Sequence, residues 1–462
     1  MSRSLPATDR LPHALYRAEQ VRELDRAAIE DHGIPARTLM ERAGGAAFRL
    51  LQKIWPEARH ITLLCGIGNN GGDGYVVARL AREAGLAVRL LQLGDAARLR
   101  GEALASAEDF LAAGGEVEAF QGLPEHTDLL VDGVFGTGLE REVVGRWRDA
   151  LEAVNRHPAP VLALDIPSGL HADSGQALGV AVKARATISF IALKQGMFTA
   201  EGPEYCGDIH FDALEVPAVV YSREILSARR LDWAQQSSAL SPRPRTGHKG
   251  DFGHLLVIGG DRGMAGAPRM AGEAAARTGA GLVTIATRPE HASLSAAARP
   301  ELMCHGVEKP QQLDPLLHRA SVVAIGPGLG QGRWGRSLLG RILQTKLPLV
   351  VDADALNLLA AEPTERDDWI LTPHPGEAAR LLAGTTGQIQ ADRFLAVARL
   401  QQRFGGVAVL KGSGTLIQGR ASRPPAVCSQ GNPGMASGGM GDVLTGVIGG
   451  LMAQGFEPEE AA

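Results

Sequence analysis

GNPGMASGGMGDVLTG, residues 431–446, is the stretch on which the reading of this chain turns. Six of its sixteen residues are glycine, and Gly438-Gly439-Met440-Gly441-Asp442 precede the apolar pair Val443 and Leu444. Glycine admits positive φ and lets backbone come close to a ligand. A glycine-rich loop that runs into a helix leaves unpaired N–H groups at the positive end of the helix dipole, which makes an anion site. Asp442 stands where that anion would be held. A carboxylate beside a bound phosphate is unfavourable unless it handles a proton. The stretch therefore reads as a phosphate-holding loop with an acid/base aspartate. The plainer alternative is a tight turn with Asp442 as a helix N-cap.

Working outward, a strand is expected at His254–Ile258, running into GGDRGMAGAP (259–268) and an alanine-rich helix. Further strands are expected at Leu282–Ala286, Val322–Ile325, Leu349–Val351 and Val407–Leu410, with a shorter apolar piece at Trp369–Leu371. At or near their ends lie GPGLG (326–330), DADALN (352–357), TPHPGE (372–377) and KGSGT (411–415). His374 stands between two prolines, rigidly placed either to grip a ligand phosphate or amide or to bond backbone. Lys411 suits a nucleotide phosphate as a point charge. The GxxxxGK[ST] order is missing, so this is not a Walker A loop. Asp352 and Asp354 suit magnesium or a helix cap ahead of Leu356 and Asn357, and a cap is expected of one of them.

In the first half, residues 16–30 place Val21, Leu24, Ala28 and Ile29 on one helical face. The chain breaks at Gly33-Ile34-Pro35 and resumes as helix. The run Ile61–Cys65 suits a strand buried on both faces. It ends in GIGNNGGDG (66–74), and a helix is expected to open at Tyr75. Strand, glycine-rich loop, helix is the doubly wound nucleotide-binding unit, although the spacing is not GxGxxG. Asn69 and Asn70 add amide groups that suit ribose hydroxyls, an amide or a hard cation. Strands at Leu129–Val134, Val161–Leu164 and Ala186–Phe190 alternate with helical stretches, which argues for a parallel sheet with ligands at the strands' carboxyl ends. Two of those ends carry VDGVFGTGL (131–139) and LDIPSG (164–169). Asn70, Asp132 and Ser168 are thus candidate convergent oxygen donors, and Asp165 a candidate acid/base group. For any one aspartate, a cap or turn is the alternative.

Residues 221–250 lose periodicity, and Ser241-Pro242-Arg243-Pro244 cannot continue a helix. The expected organisation is a domain at 1–225, a linker at 226–240 and a domain at 241–462. A chain of 462 residues exceeds one ordinary core. A net charge of −4 and 4% aromatic residues argue against nucleic acid or a membrane surface as partner. Cys65, Cys206, Cys304 and Cys428 show no CxxC spacing, so a reducing cytoplasm is expected. MSRSLPATDRLPHALYRAEQ lacks a signal pattern, and no apolar run reaches bilayer length.

These pieces carry a resemblance. Residues 16–220 resemble the NAD(P)H-hydrate epimerase domain through YRAEQVRELDRAAIEDHGIPARTLMERAG, NNGGDGYVVARLA, VDGVFGTGL and DIPSG. Lys249 onward resembles the ribokinase-like ADP/ATP-dependent NAD(P)H-hydrate dehydratase through GMAGAP, GPGLG, DADALN, LTPHPGE, KGSGT and the opening stretch. The implied fold is α/β throughout, a Rossmann-like doubly wound sheet followed by a ribokinase-like α/β domain. In the first domain the resemblance implies that Asn69, Asn70, Gly71, Gly72 and Asp73, together with Gly136, Thr137, Gly138, Leu139, Glu140, Arg141 and Glu142, hold the hydrated nucleotide. It implies that Asn70, Asp132 and Ser168 bind potassium, and that Asp165 contacts substrate as the acid/base group. In the second domain it implies that Ala267, Gly330, His374 and Asp442 bind the hydrated dinucleotide. Lys411, Gly412, Ser413, Gly414, Thr415 and Gly441 would bind ADP or ATP with magnesium, and Asp442 would be the base. The implied activity is interconversion of R and S hydrates of NADH and NADPH, then dehydration of the S epimer to NAD(P)H with release of AMP and phosphate. A homo-oligomer is expected. The family's pattern continues with further helix beyond Asp442, and Pro458-Glu459-Glu460 reads as the first turn of a helix.

Two other functions fit parts of the chain. The second half suits a small-molecule kinase, since the ribokinase-like plan serves sugars too. A nucleotide-binding module without turnover is the other, and Asp165 and Asp442 count against it.

Overall fold

The computed structural model describes residues 11–420 and 422–462. The chain divides into two compact units, one ending at Asp232 and the other running from Trp233 to Ala462.

The first unit contains strands β1 (Ala14–Tyr16), β2 (His60–Cys65), β3 (Ala87–Gln92), β4 (Val117–Ala119), β5 (Leu129–Gly133), β6 (Val161–Leu164), β7 (Ala186–Phe190), β8 (Leu193–Lys194), β9 (Asp208–Asp212) and β10 (Ala228–Arg230). Seven of them form a sheet in the order β4-β3-β2-β5-β6-β7-β9. Every pairing in it is parallel. The central strands β5, β6 and β7 are buried along their whole length, as expected where helices cover both faces. Strand order reverses between β2 and β5, so the loops after these two strands part and leave a crevice. β1 pairs with β10 and β8 in a separate small set.

One expectation is corrected. The helix after β2 spans Asn69–Glu83, so it opens six residues before Tyr75. Its glycines read as loop because glycine is a poor helix former. Here they permit close packing. A Cβ on Gly71 would overlap the carbonyl oxygen of Gly66, and one on Gly74 would lie 2.6 Å from Cys65 Sγ. Gly71→Ala is therefore expected to destabilise the first unit by about 1–3 kcal/mol, as overpacking does. Thermal or urea unfolding of the full chain measures this, and a shift below ~0.5 kcal/mol would contradict the packing argument.

The second unit contains β11 (His254–Ile258), β12 (Leu282–Thr287), β13 (Met303–Gly306), β14 (Val322–Ile325), β15 (Leu349–Val351), β16 (Trp369–Leu371), β17 (Val407–Leu410), β18 (Thr415–Gln418) and β19 (Ala426–Cys428). Their order is β13-β12-β11-β14-β15-β16-β17-β18-β19. Pairing is parallel as far as β17, and β18 and β19 add antiparallel. The order again reverses, between β11 and β14. The helix Met440–Ala453 starts from Gly439 at φ 90° and packs on the helix Gly266–Thr278. That approach is close enough that a Cβ on Gly446 would overlap the carbonyl oxygen of Ala271. Among the described residues no helix is long and apolar enough to cross a membrane.

Candidate active sites

In the first unit, a cavity of about 750 Å³ opens at the switch point. Its wall includes Asn69, Asn70, Asp73, Gly136–Arg141 and Asp165. Asp165 follows β6 with a left-handed backbone, φ 65°, a conformation Asp and Asn tolerate better than most side chains. Its Oδ1 accepts from the ammonium of Lys194, which is fully buried. Ser189 Oγ at 2.9 Å and the Phe190 carbonyl at 3.3 Å complete the lysine's partners.

Asp132 and Ser168 meet just beneath the wall, and Phe135 links Ser168 to the wall residue Asn70. Ser168 donates from Oγ to Asp132 Oδ1 at 2.6 Å and from its backbone N–H to Oδ2 at 2.8 Å. Val134 N–H adds a donor to Oδ1 at 3.2 Å. Burial still pushes the Asp132 carboxyl up to about 6, against the pull of those donors. Asn70 Nδ2 donates to the Phe135 carbonyl at 3.0 Å, while its Oδ1 is buried without a hydrogen-bond partner. A buried acceptor left unmatched costs free energy and fits a hard cation, which prefers oxygen ligands.

The structure does not bring every expected residue to the cavity wall. Gly71 and Gly72 are turned into the interior, Gly72 against Met40. Glu142 lies by Gly179, where a Cβ would sit 2.9 Å from Glu142 Cγ. Sequence reasoning missed two participants. Asp25 lines the cavity from the helix Ala18–Glu30. A carboxylate set among Val21, Ala28 and Ile29 on an apolar helical face was the signal for it. Lys194 had no comparable signal, since Leu193-Lys194-Gln195 reads as an ordinary strand end.

In the second unit the carboxyl end of β17 delivers Lys411 to Asp352, Nζ to Oδ1 at 2.8 Å, with Glu377 Oε2 at 3.9 Å. Thr445 Oγ1 donates to the other Asp352 oxygen at 2.8 Å. This corrects the cap expected of Asp352 or Asp354. Asp352 occupies the N-cap position of the helix Ala353–Ala361, but its carboxylate makes no capping bond and is spent on Lys411 and Thr445. Asp354 instead accepts from Gly330 N–H at 2.9 Å and Gln331 Nε2 at 3.3 Å. Among the described residues no group of three His, Cys, Asp or Glu side chains is placed to hold a metal.

Gly441 brings helix Met440–Ala453 against this pair; a Cβ there would lie 3.4 Å from Lys411 Nζ. Asp442 follows in the first helical turn and makes no cap. Burial, then the Asp352 charge, raise its carboxyl to about 6, with Lys411 pulling the other way. Of the two roles open to His374, the structure shows the bond to backbone. Its Nδ1 accepts from Gly376 N–H at 3.0 Å, and Nε2 lies 3.4 Å from Glu377 on a ring that is half exposed. Gly412 to Gly414 form the turn between β17 and β18, over the buried guanidinium of Arg393, which donates to the Leu410 and Lys411 carbonyls at 3.2 Å. Ala267 lies in the first turn of the helix Gly266–Thr278 and Gly330 in the loop after β14; the two segments meet where a Cβ on Gly328 would be 3.2 Å from Ala267 Cβ.

Two doubly wound sheets, each with an aspartate and a lysine near one another at the carboxyl ends of its unit's strands, define a two-site α/β enzyme of the nucleotide-binding class. Residues 36–196 match the family described as YjeF-related protein N-terminus, and residues 255–462 match NAD(P)H-hydrate dehydratase. The chain is 50% identical to the bifunctional NAD(P)H-hydrate repair enzyme Nnr of Coxiella burnetii, over 97% of this chain and 92% of that one. It is 47% identical to the protein of that name from Escherichia coli K12, over 98% and 87%. A solved ADP/ATP-dependent NAD(P)H-hydrate dehydratase from Bacillus subtilis, co-crystallized with ATP/Mg2+, is 30% identical, covers 50% of this chain and 83% of its own, and has a TM-score of 0.45. The chain belongs to the family of bifunctional NAD(P)H-hydrate repair enzymes, with the epimerase half in the first unit and the dehydratase half in the second.

Proposed function

We propose that the first unit interconverts the R and S hydrates of NADH and NADPH at the Asp165 cavity. The second unit dehydrates the S epimer at the expense of ADP or ATP, with Asp442 as base. The observation that carries this is an aspartate near a lysine at the carboxyl ends of the strands in each unit. Epimerisation needs proton transfer and little else, and a carboxylate paired with a buried ammonium supplies that. Dehydration needs a poor leaving group made better. Asp442 takes the proton of the ring hydroxyl as that oxygen attacks the terminal phosphoryl group, and AMP leaves when ADP is the donor. Phosphate then departs from the ring carbon, and loss of a proton from the neighbouring carbon restores the double bond. Lys411 and the N–H groups that open the helix at Gly439–Gly441 face the charge that moves in this transfer.

Asn70, Asp132 and Ser168 would hold potassium, and the unmatched Asn70 Oδ1 supports that donor set. The ion would fix the loop after β5 against the substrate. Magnesium would enter with the nucleotide phosphates, its usual mode. All four cysteines are free thiols, which suits a cytoplasmic home.

The test adds the protein to mixed R and S NADPH hydrate with ADP, magnesium and potassium and follows reduced-nicotinamide absorbance. Recovery of NADPH from both epimers is expected. Recovery that halts at the S fraction, faster than spontaneous epimerisation can refill it, would remove the epimerase assignment. No recovery with ADP or ATP would remove the dehydratase assignment.

A further inference from the structure

Three aspartates line the first-unit cavity, and the fold provides for them unequally. Asp165 has the Lys194 ammonium and, at 3.4 Å, the Phe190 N–H. Asp132, just below the wall, takes three donors. Asp25 and Asp73 have neither. Among the described residues no hydrogen-bond donor and no ion-pair partner reaches either carboxyl, although both border the cavity. The groups that face Asp73 are Asp25 from the helix Ala18–Glu30, Asp165 from the end of β6, Lys194 from β8 and Cys65 from β2. A carboxyl without donors and near other carboxylates keeps its proton. Burial, then Asp165 and Asp25, push Asp73 well above the usual carboxylate range, against Lys194.

We propose that Asp73 is a second catalytic residue of this site, a carboxylic acid that delivers a proton to the ring nitrogen while Asp165 removes one from the ring hydroxyl. The inference rests on the epimerase reading above. The hydrated ring carbon bears both the hydroxyl and the ring nitrogen, so it is a hemiaminal. Asp165 takes the hydroxyl proton and the O–H electron pair becomes the second bond of a carbonyl. The carbon–nitrogen bond breaks, its electron pair passes to nitrogen, and Asp73 protonates that nitrogen. Rotation about the adjacent carbon–carbon bond turns the other face of the aldehyde toward nitrogen. Ring closure reverses each transfer: nitrogen attacks, Asp73 recovers its proton and Asp165 returns its own to oxygen. Nothing is oxidised or reduced, and no net proton is consumed. Two carboxyls held in opposite protonation states are what such a cycle requires.

The test measures epimer interconversion in the full chain by chromatography of R and S NADPH hydrate, without ADP. Asp73→Asn keeps the side-chain size and removes the proton donor. It is expected to lower kcat by about 100-fold or more, with KM for the hydrate within about threefold. Dehydration of pure S hydrate should stay unchanged. A kcat loss under about 10-fold, or a change confined to KM, would overturn the assignment. Wild-type protein run alongside separates this from the underlying reading: failure of the wild type to interconvert the epimers sinks the epimerase assignment itself. If the melting curve shows that Asp73→Asn does not fold, Asp25→Asn takes its place. Removing that neighbouring carboxylate lowers the proton affinity of Asp73, so the alkaline limb of the epimerisation profile should move to lower pH. An unmoved limb would overturn the proposal.

Discussion

Asp442→Asn is expected to abolish dehydration of the S hydrate, lowering kcat by about 10²–10⁴-fold, while ADP binding and epimerisation persist. The variant keeps the size of the side chain at the third residue of the helix Met440–Ala453, where the carboxylate makes no cap whose loss would unfold the turn. What it loses is the proton acceptor. The pH dependence gives a second reading of the same group. Burial and the Asp352 charge hold the Asp442 carboxyl at about 6, and the base form is the deprotonated one. Wild-type kcat/KM for the S hydrate should therefore be level above pH 7 and fall about tenfold per unit below pH 6. Residual turnover in Asp442→Asn should lack that acid limb. Turnover that survives the substitution, or an acid limb that survives it, would show that another group takes the proton.

The parts of this architecture that were legible in the sequence are the ones buried on both faces. β6, β14, β15 and β17 stand out as unbroken apolar runs, and β7 and β11 as nearly so, because helices cover a parallel sheet on either side. The edge and antiparallel strands did not. β4 (Val-Glu-Ala) and β9 (Asp-Ile-His-Phe-Asp) are short, polar and partly exposed, so nothing in their composition separates them from loop. β18 and β19 follow a glycine-rich turn that reads as the end of the sheet. The opening of the helix at Asn69 was hidden for another reason. Local propensity speaks against GGDG in a helix, and only tertiary packing against Gly66, Met40 and Cys65 reverses it. In the sites, glycine-rich loops at strand ends announced themselves. The partners that set their chemistry did not, because Asp25, Asp73, Asp165 and Lys194 are neighbours only once the sheet is wound. Asp352 illustrates the limit: its place ahead of Leu356 predicts a cap, and the nearby Lys411 and Thr445, distant in sequence, claim both oxygens instead.

Asp165→Asn is expected to stop epimerisation and, separately, to weaken the first unit. Asn is the replacement that tests chemistry most cleanly, because it accepts the left-handed backbone at φ 65° as readily as Asp does. The cost falls on Lys194. Its ammonium is fully buried, and without the carboxylate it loses its counter-charge and keeps only neutral acceptors such as Ser189 Oγ and the Phe190 carbonyl. Removing one partner of a buried pair costs about 3–5 kcal/mol, whereas replacing both by neutral side chains is often close to neutral. The single variant should therefore unfold earlier than wild type, and the loss of activity alone would be ambiguous. Asp165→Asn combined with Lys194→Met resolves it. The double variant should recover most of the lost stability in urea unfolding and none of the epimerisation, while dehydration of pure S hydrate continues in the same chain. Epimerisation that returned with stability would show that Asp165 serves the fold and that the proton is handled elsewhere. Loss of dehydration along with epimerisation would mean that the two units do not carry separate sites.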